Sequence, residues 1–239
     1  MLERLFLKLK QRDELAEFEQ QALLDAVADV REVGEGETLV HAGDQLSNST
    51  VLLDGIVGRV RDLSDGRRQI IDLHVPGDFY DLHAFLLKKL EHGIDALTPI
   101  RIAVMPHERL KIITERWPHL TRLLWTATLF DGAIQREKIL SIGRRSAISR
   151  LAHLLCELYV RLKVVELANG NSYPLALTQS QIADAAGLTQ VHVNRTLKEL
   201  RDRNIATVRG GVVTITDRAA LIDIAEFTDD YLYLDRQPR

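Results

Sequence analysis

Forty-one residues near the C-terminus, LTQSQIADAAGLTQVHVNRTLKELRDRNIATVRGGVVTITD (177–217), constrain the chain more than any other stretch. Thr178, with Gln181 three residues on, is a capping box that opens a helix. Ile182, Ala185 and Ala186 supply its inner face, and Gly187, tolerant of positive φ, ends it. Thr189 caps a second helix in which Val193, Leu197 and Leu200 point inward. Ala183, four residues before Gly187, is small where two helices must cross closely. This spacing predicts a DNA-binding helix-turn-helix. The outward face of the second helix carries Gln190, Val191, Asn194, Arg195 and Lys198. These amides, methyls and cations suit base edges and phosphates in a major groove. An ordinary amphipathic hairpin with a solvated polar face is the alternative, but such faces usually mix Glu with Lys, and here no acid precedes Glu199. The tail IATVRGGVVTITD reads as two short strands about a glycine turn, a wing with Arg209 near its tip.

Charge points the same way. Between Arg144 and Arg218 there are eleven Lys/Arg against six Asp/Glu, a net +5, so the remainder carries −8 to give the overall −3. A basic C-terminal third on an acidic body is expected to meet an anion. The single cysteine, Cys156, excludes an intramolecular disulfide, a Cys-ligated zinc site and a four-Cys iron–sulfur cluster within one chain. No run approaches the eighteen or so apolar residues of a membrane span, and the charged, amphipathic start does not resemble a signal peptide. The expected location is cytoplasmic.

The first 30 residues read as one or two helices, with Leu15, Phe18, Ala22 and Val30 as an apolar stripe. From 31 to 105 the texture changes to short apolar runs separated by turn signals. Asp54-Gly55 and Asp65-Gly66 each read as hairpin turns, which predicts a small antiparallel barrel or jelly roll. A helical region follows from about Pro106 to Ile142, reset at Pro118 because proline fits only the first turn of a helix. Beyond it Leu120, Leu123, Ala127, Phe130, Ile134 and Ser141 follow 3-4 spacing, broadened by Leu124 and Trp125. Such a stripe could pack on its own subunit or pair with its copy. Gly143 marks a hinge before a further amphipathic helix, and TDDYLYLDRQPR at the end reads as a frayed polar tail.

Taken in order, these parts resemble the Crp/Fnr family of bacterial transcription regulators. The resemblance rests on Gly36-Glu37-Thr38-Leu39 with Gly43-Asp44, on Leu53-Asp54-Gly55, and on Pro76-Gly77-Asp78-Phe79. A long central helix, the stretch from Arg150 to Leu155 and the helix-turn-helix with its wing complete it, covering roughly 15–225. It implies an α+β fold: an N-terminal antiparallel β-roll with flanking helices (1–117), a central dimerisation helix (118–142) and a C-terminal winged helix-turn-helix (143–239). It implies a homodimer reading a palindromic site, with RNA polymerase as a further partner if the protein activates, and it favours dimer pairing for the 3-4 stripe. Arg195 matches the recognition-helix arginine that contacts a guanine. Thr178 and Gln179, with the neighbouring Ser180, fall where the phosphate backbone is reached. Val191 stands where the family commonly has a glutamate reading cytosine. Valine accepts no hydrogen bond, so a thymine methyl is the expected contact there, and Gln190 and Asn194 could each address an adenine.

In cyclic-AMP-binding members, the turn after Gly-Asp-Phe continues with a Gly-Glu pair, and an Arg-Ser pair follows. Here Asp81 and Leu82 occupy those places and no Arg-Ser occurs before Ala96. A carboxylate at Asp81 would repel a phosphate and Leu82 cannot hold a ribose, so cyclic AMP is not expected. Lys88 and Lys89 read as a solvated face. Haem on His74 or His83 stays open, as does an unknown small effector near Asp81, Leu82, His83 and His92. Those donors have no recognised metal spacing, and no metal or cofactor is expected. Cys156, beside Leu154 and Leu155, reads as inert core. A signalling module acting on a partner protein would share the roll but not the winged helix. An enzyme is not expected, because no catalytic arrangement stands out.

Overall fold

In the computed structural model, which describes residues 1–238, Cα packing groups the chain into two units. The first comprises residues 1–61, 72–132 and the tail from Tyr233; the second comprises 62–71 and 133–232.

The first unit opens with two helices, Glu3–Arg12 (α1) and Glu17–Ala26 (α2). The apolar stripe expected there is partly wrong. Leu15 and Ala22 are buried, but Phe18 is 59% exposed and Val30 lies exposed on a strand. Leu23 fills the core in their place, because α2 starts only at Glu17 and its face is counted from there.

Seven strands follow: Asp29–Val33 (β1), Thr38–Val40 (β2), Asn48–Asp54 (β3), Val57–Asp62 (β4), Arg68–His74 (β5), Gly93–Ala96 (β6) and Ile100–Pro106 (β7), with a short helix Ala84–Leu87 (α3) before β6. They form two sheets, in the orders β1-β7-β3 and β2-β6-β4-β5. Asp65-Gly66 is a hairpin turn between neighbours β4 and β5. Asp54-Gly55 is not a hairpin: it carries the chain from the first sheet to the second. Strand periodicity divides β3 between two cores. Val51 and Leu53 face a cluster with Leu5, Leu23, Met105 and Leu110, while Leu52 faces one with Val57, Tyr80, Ile94 and Ile102.

The Pro76-Gly77 turn is pinned on both sides. Gly77 N–H donates to Leu52 O (2.7 Å) and Leu52 N–H donates to Asp78 O (2.8 Å). Gly77 has φ +89°, and a Cβ there would stand 2.6 Å from the carbonyl oxygen of Arg4. Only glycine meets both conditions.

His107–Arg116 (α4) leads to the long helix Pro118–Arg144 (α5). The 3-4 stripe read from its sequence faces its own chain. Leu120, Leu123 and Leu124 belong to the core cluster of the N-terminal helices, and Ile134 and Ser141 are buried. The exposed apolar side chains of the helix are Trp125 (66%), Leu129, Ile139 (72%), Leu140 and Ile142, all outside that stripe. The tail folds back rather than fraying: Phe130 stacks on Tyr233 at 5.5 Å, and Leu232 is buried in a 3-10 turn of the second unit.

The second unit holds Ala147–Val164 (α6), Ser172–Pro174 (β8), Gln179–Ala186 (α7), Gln190–Asp202 (α8), Ala206–Arg209 (β9), Val212–Ile215 (β10) and Arg218–Ala225 (α9). The break expected at Gly143 falls just after it: α5 runs to Arg144, and Ser146 caps α6 by accepting from Ser149 N–H. Burial pushes the Cys156 thiol up to about 12, which leaves it inert. Among the described residues, no helix is long and apolar enough to cross a membrane.

Candidate nucleic-acid interface

The helix-turn-helix is set by local chemistry at three joints. Gln181 N–H donates to Thr178 Oγ1 (3.2 Å) while Thr178 N–H donates to Gln181 Oε1 (2.7 Å), so two of the orphan donors at the start of α7 are satisfied. Gly187 ends α7 in the left-handed region, at φ 62°. Thr189 caps α8, accepting from His192 N–H (3.3 Å). Arg150 of α6 then clamps the turn. One of its guanidinium nitrogens donates to Ala186 O (3.2 Å) and Gly187 O (3.0 Å), and the other to Ile142 O (2.7 Å). A cation at the C-terminal carbonyls of two helices complements both dipoles.

Val193 and Leu200 are fully buried on the inner face of α8, with Thr196, which leaves its outer face to solvent. Gln190, Val191, Asn194, Arg195 and Lys198 are all exposed along that face, and Val191 is 75% exposed. Glu199 is drawn off the face toward Arg203 (3.5 Å).

Thr178 sits at the start of α7, with Gln179 and Ser180 exposed in its first turn. Between α7, α8 and β9 lies a cleft of about 280 Å³, lined by Gln179, Asn194, Lys198, Arg201 and Arg209. Its charged lining is wholly cationic, which fits a phosphate backbone. Arg201 was not anticipated from the sequence. Its signal was its place three residues after Lys198, on the same face of the helix. The wing is larger than the two strands expected, because β8 pairs with β10 to give the order β8-β10-β9. Gly210 and Gly211 both have positive φ at its tip, beside Arg209.

The residues expected to line an effector pocket do not stay together. Asp81 is turned inward, 2% exposed, and accepts the Thr50 N–H at 2.5 Å. Burial pushes it up to about 7. Leu82 packs in the core with Leu5 and Leu23. The turn after Phe79 aims both side chains away from solvent. His83 and His92 do meet, with ring centroids 5.5 Å apart. Burial, helped by Arg59, lowers His83 to about 4. Lys88 and Lys89 are exposed, as expected of a solvated face.

At the centre stands Arg59 of β4, 2% exposed. Its guanidinium donates to Tyr80 O (2.9 Å), Asp72 Oδ2 (3.2 Å) and Asp131 Oδ2 (2.8 Å), and lies 3.5 Å from His83 Nδ1. None of Arg59, Asp72 and Asp131 was foreseen as a site residue. The signal for Arg59 was a charge set between apolar residues in the first half of β4, VGRV.

Two family models match the chain, a cyclic nucleotide-binding domain over residues 30–116 and a Crp-like helix-turn-helix domain over residues 149–224. Among curated proteins, the transcriptional activator protein FnrL of Cereibacter sphaeroides is 26% identical over 211 residues, covering 87% of this chain and 84% of that protein. The nitrogen fixation regulation protein FixK of Bradyrhizobium diazoefficiens is 29% identical over 178 residues, covering 74% of each. Among solved structures, FixK2 from Bradyrhizobium japonicum superposes with a TM-score of 0.77 at 24% identity, covering 84% of this chain and 99% of that one.

Proposed function

The chain belongs to the Crp/Fnr family of DNA-binding transcription regulators, and we propose that it acts in the cytoplasm as a homodimer on a palindromic operator. One observation carries the reading: α8 presents an exposed face without a carboxylate before Glu199, continuous with a cleft whose charges are all positive. In this reading each copy lays α8 in the major groove of one half-site. Arg195 addresses a guanine in bidentate fashion, Gln190 and Asn194 address adenines, and Val191 lies against a thymine methyl. Thr178, Gln179, Ser180, Lys198 and Arg209 meet the phosphates, and Arg201 joins them. RNA polymerase is the further partner if the regulator activates.

What supports the dimer is the bare face of α5. Trp125, Leu129, Gly132, Arg136 and Ile139 follow 4-3-4-3 spacing, the repeat of a two-helix seam. What supports a sensor that does not take cyclic AMP is the inward turn of Asp81 and Leu82 and the guanidinium of Arg59 seated among carboxylates.

A fluorescence titration of wild type and Arg195→Ala against operator DNA tests the assignment. The variant should lose about 1–3 kcal/mol of specific binding and discriminate less at one base pair, while its salt dependence changes little. Equal binding by the two proteins would overturn the recognition-helix assignment.

A further inference from the structure

The Arg59 cluster has a donor set that DNA binding does not use. One ligand atom from each of Asp72, His74 and Asp131 lies within 4.8 Å of the other two. One imidazole nitrogen with two carboxylate oxygens is a borderline-hard donor set that suits first-row divalent ions such as Mn²⁺, Co²⁺ and Zn²⁺. Metal–ligand bonds of about 2.0–2.2 Å at tetrahedral angles place ligand atoms about 3.3–3.6 Å apart, so side-chain adjustments of up to about an ångström complete the set. The Arg59 guanidinium faces Asp131, Asp72 and Asp81 together.

The surroundings are those of a ligating histidine. His74 is buried, with Nε2 3.6 Å from Asp72 Oδ2 and Nδ1 3.9 Å from Asp78 Oδ2. A carboxylate facing the far nitrogen is the group that orients a ligating imidazole, and Asp78 stands on that side of the ring. Asp78 is itself held by Val75 N–H (2.9 Å) and by Lys8. The other oxygen of Asp72 accepts Leu73 N–H (2.9 Å). A second buried imidazole, His92, is 3% exposed, and Arg59 and Asp72 are among the charges that act on it. Asp131, partly exposed, gives a way in.

We propose that Asp72, His74 and Asp131 bind a first-row divalent metal ion, which competes with the Arg59 guanidinium for the two carboxylates. The site joins β5 of the roll to α5, so an ion there changes the tie between the two elements. That this serves as the regulator's signal rests on the DNA-binding reading; the site itself does not.

The test uses the full chain, stripped with a chelator and titrated with Co²⁺ while its visible absorption is followed. One equivalent should bind saturably, and Asp131→Asn and His74→Gln should each weaken it by about tenfold or more. Arg59→Met, which removes the competing cation, should tighten it. If His74→Gln does not fold, Asp131→Asn, at the partly exposed position, still decides. Absence of saturable bands in wild type, or unchanged affinity in Asp131→Asn, would overturn the site. Arg195→Ala should keep the bands while losing operator binding, so the two readings fail separately.

Discussion

Replacing Asp81 with asparagine should stabilise the protein above neutral pH and leave it nearly unchanged in acid. The carboxyl is 2% exposed, and burial dominates its environment. The Thr50 N–H and Arg59 favour the charged form but do not offset the lost hydration, and the other ionisable neighbour, Tyr80, is itself raised by burial. The midpoint therefore rises from the ordinary 3.8 to about 7 in the folded chain. A group whose folded midpoint is raised binds its proton more tightly in the native state. Its contribution is fully present below 3.8 and is lost as pH rises through 7. By pH 8 the folded state bears a penalty of about 4 kcal/mol at most. The amide avoids that penalty and still accepts from Thr50, but it buries an NH₂ that needs a partner, at about 1 kcal/mol or more. A net gain of about 2–3 kcal/mol at pH 8 is expected, falling to zero or below near pH 5. Urea titrations at several pH values, read by tryptophan fluorescence, give the difference directly. Both tryptophans, Trp117 and Trp125, lie in the same unit as Asp81, so the signal reports the right part of the molecule. A difference between variant and wild type that does not change with pH would refute the reasoning.

Gly77→Ala should cost about 2–3 kcal/mol in the same urea assay, because it combines a left-handed backbone with a clash against the Arg4 carbonyl. Leu129→Arg, on the bare face of α5, should shift sedimentation toward a monomer and weaken operator binding, with little change in the unfolding of the roll. Excess cyclic AMP should leave the melting temperature where it is, whereas a ligand at a hundred times its Kd would add about 2.7 kcal/mol.

The parts legible from the sequence were those whose determinants lie within one helical turn of each other. The Thr178–Gln181 box, Gly187 and the Thr189 cap mark α7 and α8 almost to the residue, because capping and positive φ are local events. The face of α5 was not legible, because apolar residues surround much of the helix. Leu120, Leu123 and Leu124 as well as Trp125, Leu129 and Ile139 satisfy a 3-4 repeat, and only the packed roll decides which set it covers. Asp54-Gly55 has the composition of a hairpin turn, but whether a turn joins neighbours or changes sheets depends on pairing partners that β3 and β4 find elsewhere. The Arg59–Asp131 pair spans 72 positions, and no pattern in either segment announces the other.

That pair also sets what can be cut from this protein. A fragment ending at Trp117 would keep every strand of the roll, yet it would take the Asp131 carboxylate from Arg59 and open the core where Leu120, Leu123 and Leu124 had been. Removing one member of a buried ion cluster costs about 3–5 kcal/mol, and each lost leucine adds about as much again. Such a fragment should be soluble only as a collapsed, loosely packed species. The piece that can be transplanted into another protein is the roll together with the first half of the helix, so a fusion joint belongs beyond Asp131.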